Sequence, residues 1–434
     1  MTEELRREFI ESYKKSDNEK HFIKLFDKQG IQLVEPSSED DDKFFDDLKL
    51  QINCFFQEAL KLSTVSFLLG TGSSIPLGAV PIYQMPEAII ASIKKEKLED
   101  AHDKLYSCYA ETVGLEKYLG DLLRLSSVLK IFMPAEKNQD ILPADIKSLI
   151  SVIKKSLFEL CKVPILDNIK DDYYKSKPLK IHKAFIKKIL ARAINLKRVN
   201  LFTTNYDLAF ESAMDDLGVI YIDGFVGNTR RMFKPEVYNY DYYFPASTTE
   251  GNVHRLDKVV HLYKLHGSLN WLECDVDESN IYGIEQSSKS NDYSESLLVY
   301  PQPMKEEETL GFPYSEMFRR FSSIIQQPQN VLISYGYGFG DEHVNRVIYN
   351  ALSISSFQLI IVSYGWTDKL KDFYNKTKDD SRVSFLIGPY LGDWRTWVID
   401  LLPDLKKMDL EEKIKETVRK LKSRPPEREQ EDGK

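Results

Sequence analysis

Seven short runs rich in β-branched, aromatic and leucine residues constrain this chain more than any other feature: Thr64–Leu69, Val199–Phe202, Val219–Ile222, Val260–Leu265, Val331–Ser334, Leu359–Val362 and Val383–Ile387. Each is nearly continuous in apolar character, and helical or loop sequence separates it from the next. A strand that alternates apolar with polar residues keeps one wet face, whereas one that is apolar throughout is covered on both. The pattern predicts an α/β protein built on an open, mostly parallel sheet.

Between the first two runs lies mostly helical sequence, with candidate helices near 86–97, 101–112, 115–132, 144–161 and 179–195. Helices in such number without a strand among them predict a helical insert over about 86–195. Upstream, Leu5 to Lys28 carries a modest helical pattern. Phe44, Phe45, Leu48, Ile52, Phe55, Phe56, Ala59 and Leu60 follow three-four spacing behind an N-cap candidate at Ser38 and acids from Glu39 to Asp42. The expected division is an N-terminal helical extension over 1–62, a sheet domain over 63–403, and a C-terminal helix with a disordered tail over 404–434.

Charge and cysteine content narrow the function classes. The 59 Lys+Arg against 67 Asp+Glu leave −8, too acidic for a protein that coats nucleic acid. Residues 151–200 depart from this with 13 basic against 4 acidic residues, a local +9 that suits solvated helix faces or a docking face for an acidic partner or for DNA presented by that partner. Cys54, Cys108, Cys161 and Cys274 form no CxxC pair and no Cys/His cluster, so neither a zinc ribbon nor a disulfide framework is expected. A charged N-terminus and the lack of an apolar run near the roughly 18 residues of a membrane helix predict a soluble, cytoplasmic protein.

Four strand ends turn polar or glycine-rich, and carboxyl ends of parallel strands are where α/β ligands bind. After Leu69 comes Gly70-Thr71-Gly72-Ser73-Ser74, a turn expected to present backbone N–H groups to a phosphate with a helix dipole behind them. Ile75 stands where a dinucleotide fingerprint has its third glycine, so the motif alone is weak. Thr203, Thr204, Asn205 and Asp207 end the second run, and His266-Gly267 ends the fourth. Tyr335 to Gly340 alternates aromatics with glycines, a loop suited to close approach by a ribose or purine.

In this order GxGxS, TxNxD, His-Gly and a late Gly-x-Gly loop resemble the sirtuin superfamily, over residues 64 to about 365. TTNYDLAFESAMDDLGV, GFVGNTRR, LYKLHGSLNW, Tyr300-Pro301 before GFPYSEMFRRF, and GYGFGDEHVNRVI are similar to bacterial sirtuin-like proteins encoded beside a HerA-type ATPase in antiphage defence. The resemblance implies a Rossmann-like, NAD-binding catalytic domain over 63–403 that hydrolyses NAD+. It further implies a homo-oligomer that docks on a hexameric HerA-type ATPase, meets DNA only through that partner, and needs no membrane. Two departures from the protein deacylases of the superfamily stand out. Only Cys274 lies where they carry a four-cysteine zinc module, and Val80-Pro-Ile-Tyr-Gln84 replaces their Asp-Phe-Arg run. The expected reaction is therefore NAD+ glycohydrolysis without a metal. A deacylase, or a scaffold that binds NAD+ or ADP-ribose without turnover, are the alternatives, and a nuclease ranks below them for want of a carboxylate cluster.

The nicotinamide of NAD+ is a cationic leaving group, so the reaction needs chiefly a stabilised oxocarbenium-like centre and a placed water. Asn205 is expected to bind the ribose and water, His266 to accept a proton, and Asp207 to hold the nicotinamide side. Gly70, Thr71, Gly72 and Ser73 are the candidates for the pyrophosphate. Thr204, Ser334, Gly336, Gly338 and Phe339 are the candidates for the ribose and adenine end. His254, His261 and His343 read as structural or partner-facing, and none of them as a metal ligand. The Tyr-rich stretch from Val237 to Phe244 reads as a lid, an inter-subunit contact or a self-packed loop.

Overall fold

The structure is a computed structural model that describes residues 2–14, 20–26, 32, 40–81, 84–106, 118–119, 121–126, 143–162, 179–245, 253–287, 296–298 and 313–406. The expected C-terminal helix near 409–422 and the tail lie outside these residues, as does most of the expected 115–132 helix. Among the described residues the strands are β1 Phe22–Lys24, β2 Thr64–Leu69, β3 Asn200–Thr203, β4 Ile220–Ile222, β5 Phe225–Val226, β6 Arg231–Phe233, β7 Tyr243–Pro245 and β8 Val253–Arg255. They continue with β9 Val259–Lys264, β10 Gly267–Glu273, β11 Ile284–Gln286, β12 Ser296–Leu298, β13 Asn330–Tyr335, β14 Phe357–Ser363 and β15 Val383–Ile387.

The main sheet runs β1-β15-β14-β13-β2-β3-β9-β4, parallel throughout except for the β1–β15 pair at its edge. All seven expected strands are in it. The α/β, mostly parallel fold follows from the burial that the sequence pattern implied: every residue of β2, β13 and β15 is buried. One apolar cluster fills one face, from Phe56 and Phe185 to Trp394 and Trp397, and a second fills the other, from Phe202 and Tyr263 to Phe321 and Phe385. The chain leaves β2 toward β3 and β9, then returns to the other side of β2 as β13. The strand order therefore reverses between β2 and β13, the place where open α/β sheets bind ligands.

Two expectations fail locally. The pattern from Leu5 to Lys28 is not one helix: helix Thr2–Lys14 is followed by β1, whose Phe22 packs on Trp366, Tyr374 and Phe385. The free edge of β15 takes up this segment, and tertiary pairing overrides a modest helical pattern. The Asp41–Leu60 helix forms as expected, but its N-cap is Asp40, whose carboxylate accepts from the Asp42 and Lys43 amides, not Ser38. A second, antiparallel sheet, β12-β10-β11-β6-β5, was not anticipated. Cys274 sits just past β10, and apolar packing among Phe225, Phe233, Trp271 and Ile284 closes this lobe. In the insert, helices Met85–Lys95 and Pro143–Leu160 share a core of Ile89, Ile93, Leu149, Ile153 and Phe158 that Leu269 joins.

His182, on the Lys180–Ile189 helix, is fully buried against Phe210 and Trp394, and burial pushes its pKa down to about 3. Burial likewise lowers His261 to about 4. An unfolded imidazole titrates near ~6.5, so both neutral forms favour the fold above that pH. Their contribution is lost as pH falls through ~6.5 toward the folded values. Thermal melts should show Tm falling from pH 6.5 to 4, and His182→Gln should weaken that dependence. A flat profile in the parent chain would contradict buried, neutral imidazoles.

Candidate functional site

β2, β3, β9 and β13 bring the four polar segments to one end of the sheet. Leu69 pairs with Thr203 on one side and Tyr335 on the other, and Thr203 pairs with Lys264. Asn205 and His266 thus each lie two residues beyond a registered pair on neighbouring strands.

The glycine turn is built differently from the expected cradle. The Gly70 amide donates to the Tyr335 carbonyl (2.9 Å), that of Gly72 to the Gly336 carbonyl (3.1 Å), and that of Ser73 to the Gly70 carbonyl (3.1 Å). Three of the four expected phosphate donors are therefore committed to backbone carbonyls. No long helix stands behind the turn either: two single 3₁₀ turns, Thr71–Ser73 and Ile75–Leu77, follow it, with Pro76 in the second. The glycines are required by the strand ends themselves. A Cβ on Gly70 would lie 2.5 Å from the Gly336 carbonyl oxygen, and one on Gly72 would lie 2.6 Å from the Gly336 Cα.

Gly336 adds a left-handed φ of +60°. Gly336→Ala should combine about 1–3 kcal/mol of backbone strain with about 1–3 kcal/mol of overpacking, read by urea unfolding. Gly338→Ala, whose Cβ meets nothing within 4 Å, should change stability by less than about 0.5 kcal/mol. Equal losses at the two positions would refute this packing account. Gly338 and Gly340 are the exposed glycines of the late loop and leave space for a ligand.

Asn205 is buried, and its Nδ2 donates to the Gly70 carbonyl (3.0 Å) and to the hydroxyls of Ser73 (3.2 Å) and Ser74 (3.0 Å). These bonds tie β3 to the glycine turn and use only the amide nitrogen, which leaves Oδ1 for a ligand. Asp207 is committed to the fold on both carboxylate oxygens. Its Oδ2 accepts from the Ser74 hydroxyl (2.7 Å) and its Oδ1 from the Ala209 amide (3.0 Å), so it fixes the turn and starts helix Ala209–Asp216. Lys264, buried below it, donates to the carbonyls of Tyr206 and Asp207 and to the Glu211 carboxylate at 2.9 Å. Burial raises the Glu211 pKa, and Lys264 opposes that shift.

At the ribose and adenine end, Thr204 is half-buried with its amide on the Leu69 carbonyl. Ser334 is buried inside the sheet. Phe339 is not open to a purine: its ring packs on Tyr337 (4.9 Å) and Phe373 (4.4 Å), at a φ of +57°. The apolar cluster beneath the late loop has absorbed that aromatic.

His266, 4% exposed, has Nε2 3.9 Å from Oδ1 of Asp341. Asp341 occupies the N-cap position of helix Glu342–Ala351, yet its side chain makes no capping bond there. Sequence reasoning gave Asp341 no role. The signal was present in Gly340-Asp341-Glu342-His343, since an acid at a helix start is ordinarily a cap, and here it turns toward His266. Tyr206, Phe318 and His343 ring the imidazole at centroid distances of 6.3, 6.5 and 5.9 Å.

A cavity of about 440 Å³ lies elsewhere, near the amino ends of β2, β3 and β9, lined by Thr64, Arg198, Tyr238, His261 and Arg320 among others. It contains neither Asn205 nor His266. The Tyr-rich segment borders it: Asp241 is clasped by Arg198 and Arg255, each at 2.7 Å, and Tyr240, Tyr242, Tyr243 and Phe244 are exposed.

No helix of the described residues is long and apolar enough to cross a membrane. No curated protein matches the chain. Among solved structures, a Sir2 homolog–NAD complex is similar at 11% identity and a TM-score of 0.40, over 87% of this chain and 97% of that one. A mutant Sir2 homologue–ADP ribose complex follows at 13% and 0.40, over 82% and 96%. Sir2Tm bound to a propionylated peptide follows at 10% and 0.34, over 83% and 98%. The SIR2-like domain family matches residues 199–380, a span that holds Asn205, His266, the late glycine loop and Asp341. Over that span the chain is similar to the SIR2-like domain family.

Proposed function

We propose that the chain hydrolyses NAD+ to nicotinamide and ADP-ribose at the carboxyl ends of β2, β3, β9 and β13, and that it does so in antiphage defence beside a HerA-type ATPase. The observation that carries the reaction is His266 at the end of β9 with the Asp341 carboxylate 3.9 Å from its Nε2. A site that only bound NAD+ would not require a proton acceptor held against a carboxylate. The SIR2-like similarity over 199–380 supports an NAD-related activity. Defence and the ATPase rest on the motif resemblance.

In this reading water attacks the ribose carbon as the nicotinamide bond breaks. The bond electrons leave with neutral nicotinamide, and the water proton passes to His266. Asn205 Oδ1 orients the water or a ribose hydroxyl, while Nδ2 holds the turn. Asp341 steadies the imidazolium that forms. Asp207 and Lys264 act by position, fixing Asn205 through Ser74 and through the Tyr206 and Asp207 carbonyls. A deacylase would need a clamp for an acyl-lysine peptide. The neighbouring lobe closes on Phe225, Phe233 and Trp271, and its Cys274 Sγ accepts from Asn280 (3.1 Å).

The test is chromatography of NAD+ incubated with the purified chain, alone and with the HerA-type ATPase, with and without acyl-lysine peptide. Nicotinamide and ADP-ribose formed independently of peptide support the reading. Acylated ADP-ribose formed only with peptide overturns it, and so does NAD+ binding without nicotinamide release in any mixture.

A further inference from the structure

Asp341 and His343 flank the first residue of helix Glu342–Ala351, and the end of β9 delivers His266 to the same point. One ring nitrogen from each histidine and one oxygen of Asp341 all lie within 4.8 Å of one another. Tetrahedral zinc with bonds of about 2.0–2.1 Å sets its ligand atoms about 3.3 Å apart, so each pair must close by about 1.5 Å at most. Side-chain rotation is the movement the site requires to close that distance. Two imidazoles and a carboxylate suit a borderline transition ion and leave a fourth position open, whereas magnesium and calcium favour oxygen donors. The Phe318 ring, 5.0 Å from that of His343, and Tyr206 on the His266 side form an aromatic wall around the donors.

We propose that His266, Asp341 and His343 bind a divalent transition ion of the zinc class, and that the ion switches the NAD+ reaction off. The lone pair that would accept the water proton is the one that coordinates the ion. An occupied site therefore has no base, and Asp341 is drawn from the imidazole to the metal. The switching rests on the NAD+ reading above, but the ion site itself does not. His343 has no part in the hydrolysis and supplies a ligand only.

The experiment uses the full chain. Cobalt(II) serves as a visible-absorption probe and zinc is titrated by calorimetry, in the parent, His343→Ala and His343→Gln proteins, with circular dichroism to verify folding. NAD+ loss is measured over the same zinc range. The expected result is one ion per chain in the parent, with the cobalt spectrum of a nitrogen- and oxygen-ligated site. Affinity should be at least tenfold weaker in both variants. Zinc should stop NAD+ loss in the parent and EDTA should restore it. The variants should keep the basal rate and need at least tenfold more zinc for inhibition. A parent that binds no ion, or variants that bind it equally well, would overturn the site. If cobalt binds in the parent and not in the variants, but none of the three proteins consumes NAD+ under any condition, the ion site stands while the hydrolase reading and its switch both fail.

Discussion

NAD+ turnover should fall by about two to four orders of magnitude in His266→Ala, the usual contribution of a general base, while thermal unfolding stays close to the parent. His266 lies at a strand end, ringed by Tyr206, Phe318 and His343. Asp341→Asn should cost less and should move the acid limb of kcat/KM to lower pH, because the imidazolium loses the carboxylate 3.9 Å away that favours its charged form. A purely structural Asp341 would lower the rate without moving that limb. Asn205→Ala is expected to be equally inactive but less clean. Its Nδ2 also ties the Gly70 carbonyl, Ser73 and Ser74, so Tm should fall with the rate. Parental NAD+ consumption by His266→Ala within the active assembly would sink the assignment.

The sheet was legible because burial on both faces writes itself into sequence as mostly apolar runs, and the seven runs of this kind became seven strands. β1 and β6 were not legible, for a common reason. Phe22–Lys24 and Arg231–Phe233 are three residues long, too short for any period to show, and they are strands only because an edge or a partner from distant sequence is there to pair with them. At the site, residue types were readable and their partners were not. Glycines that looked like room for phosphate are room for each other, across β2 and β13. Asp207 and Phe339 carry the right chemistry but are spent on Ser74, Ala209 and the aromatic cluster. Asp341 carried the common signature of a helix cap and turned out to face His266.

Loss of Lys264 should cost much of the stability of this strand end. Its side chain is 2% exposed and ion-paired with Glu211, itself 9% exposed, while it also donates to the carbonyls of Tyr206 and Asp207. Lys264→Met leaves a buried carboxylate and two buried carbonyls without their cation, a loss of about 3–5 kcal/mol by the usual cost of breaking a buried pair. Urea unfolding should read that loss directly. The double replacement Lys264→Met with Glu211→Leu removes the stranded charge, and well-packed apolar pairs often match buried ion pairs in stability. It should therefore recover most of the unfolding free energy. NAD+ turnover should not recover with it, because no cation then clamps the Tyr206 and Asp207 carbonyls that set Asn205 against the glycine turn. Recovery of both would make Lys264 a stability element alone; a single Lys264→Met variant within about 1 kcal/mol of the parent would show that the buried pair does not hold this strand end.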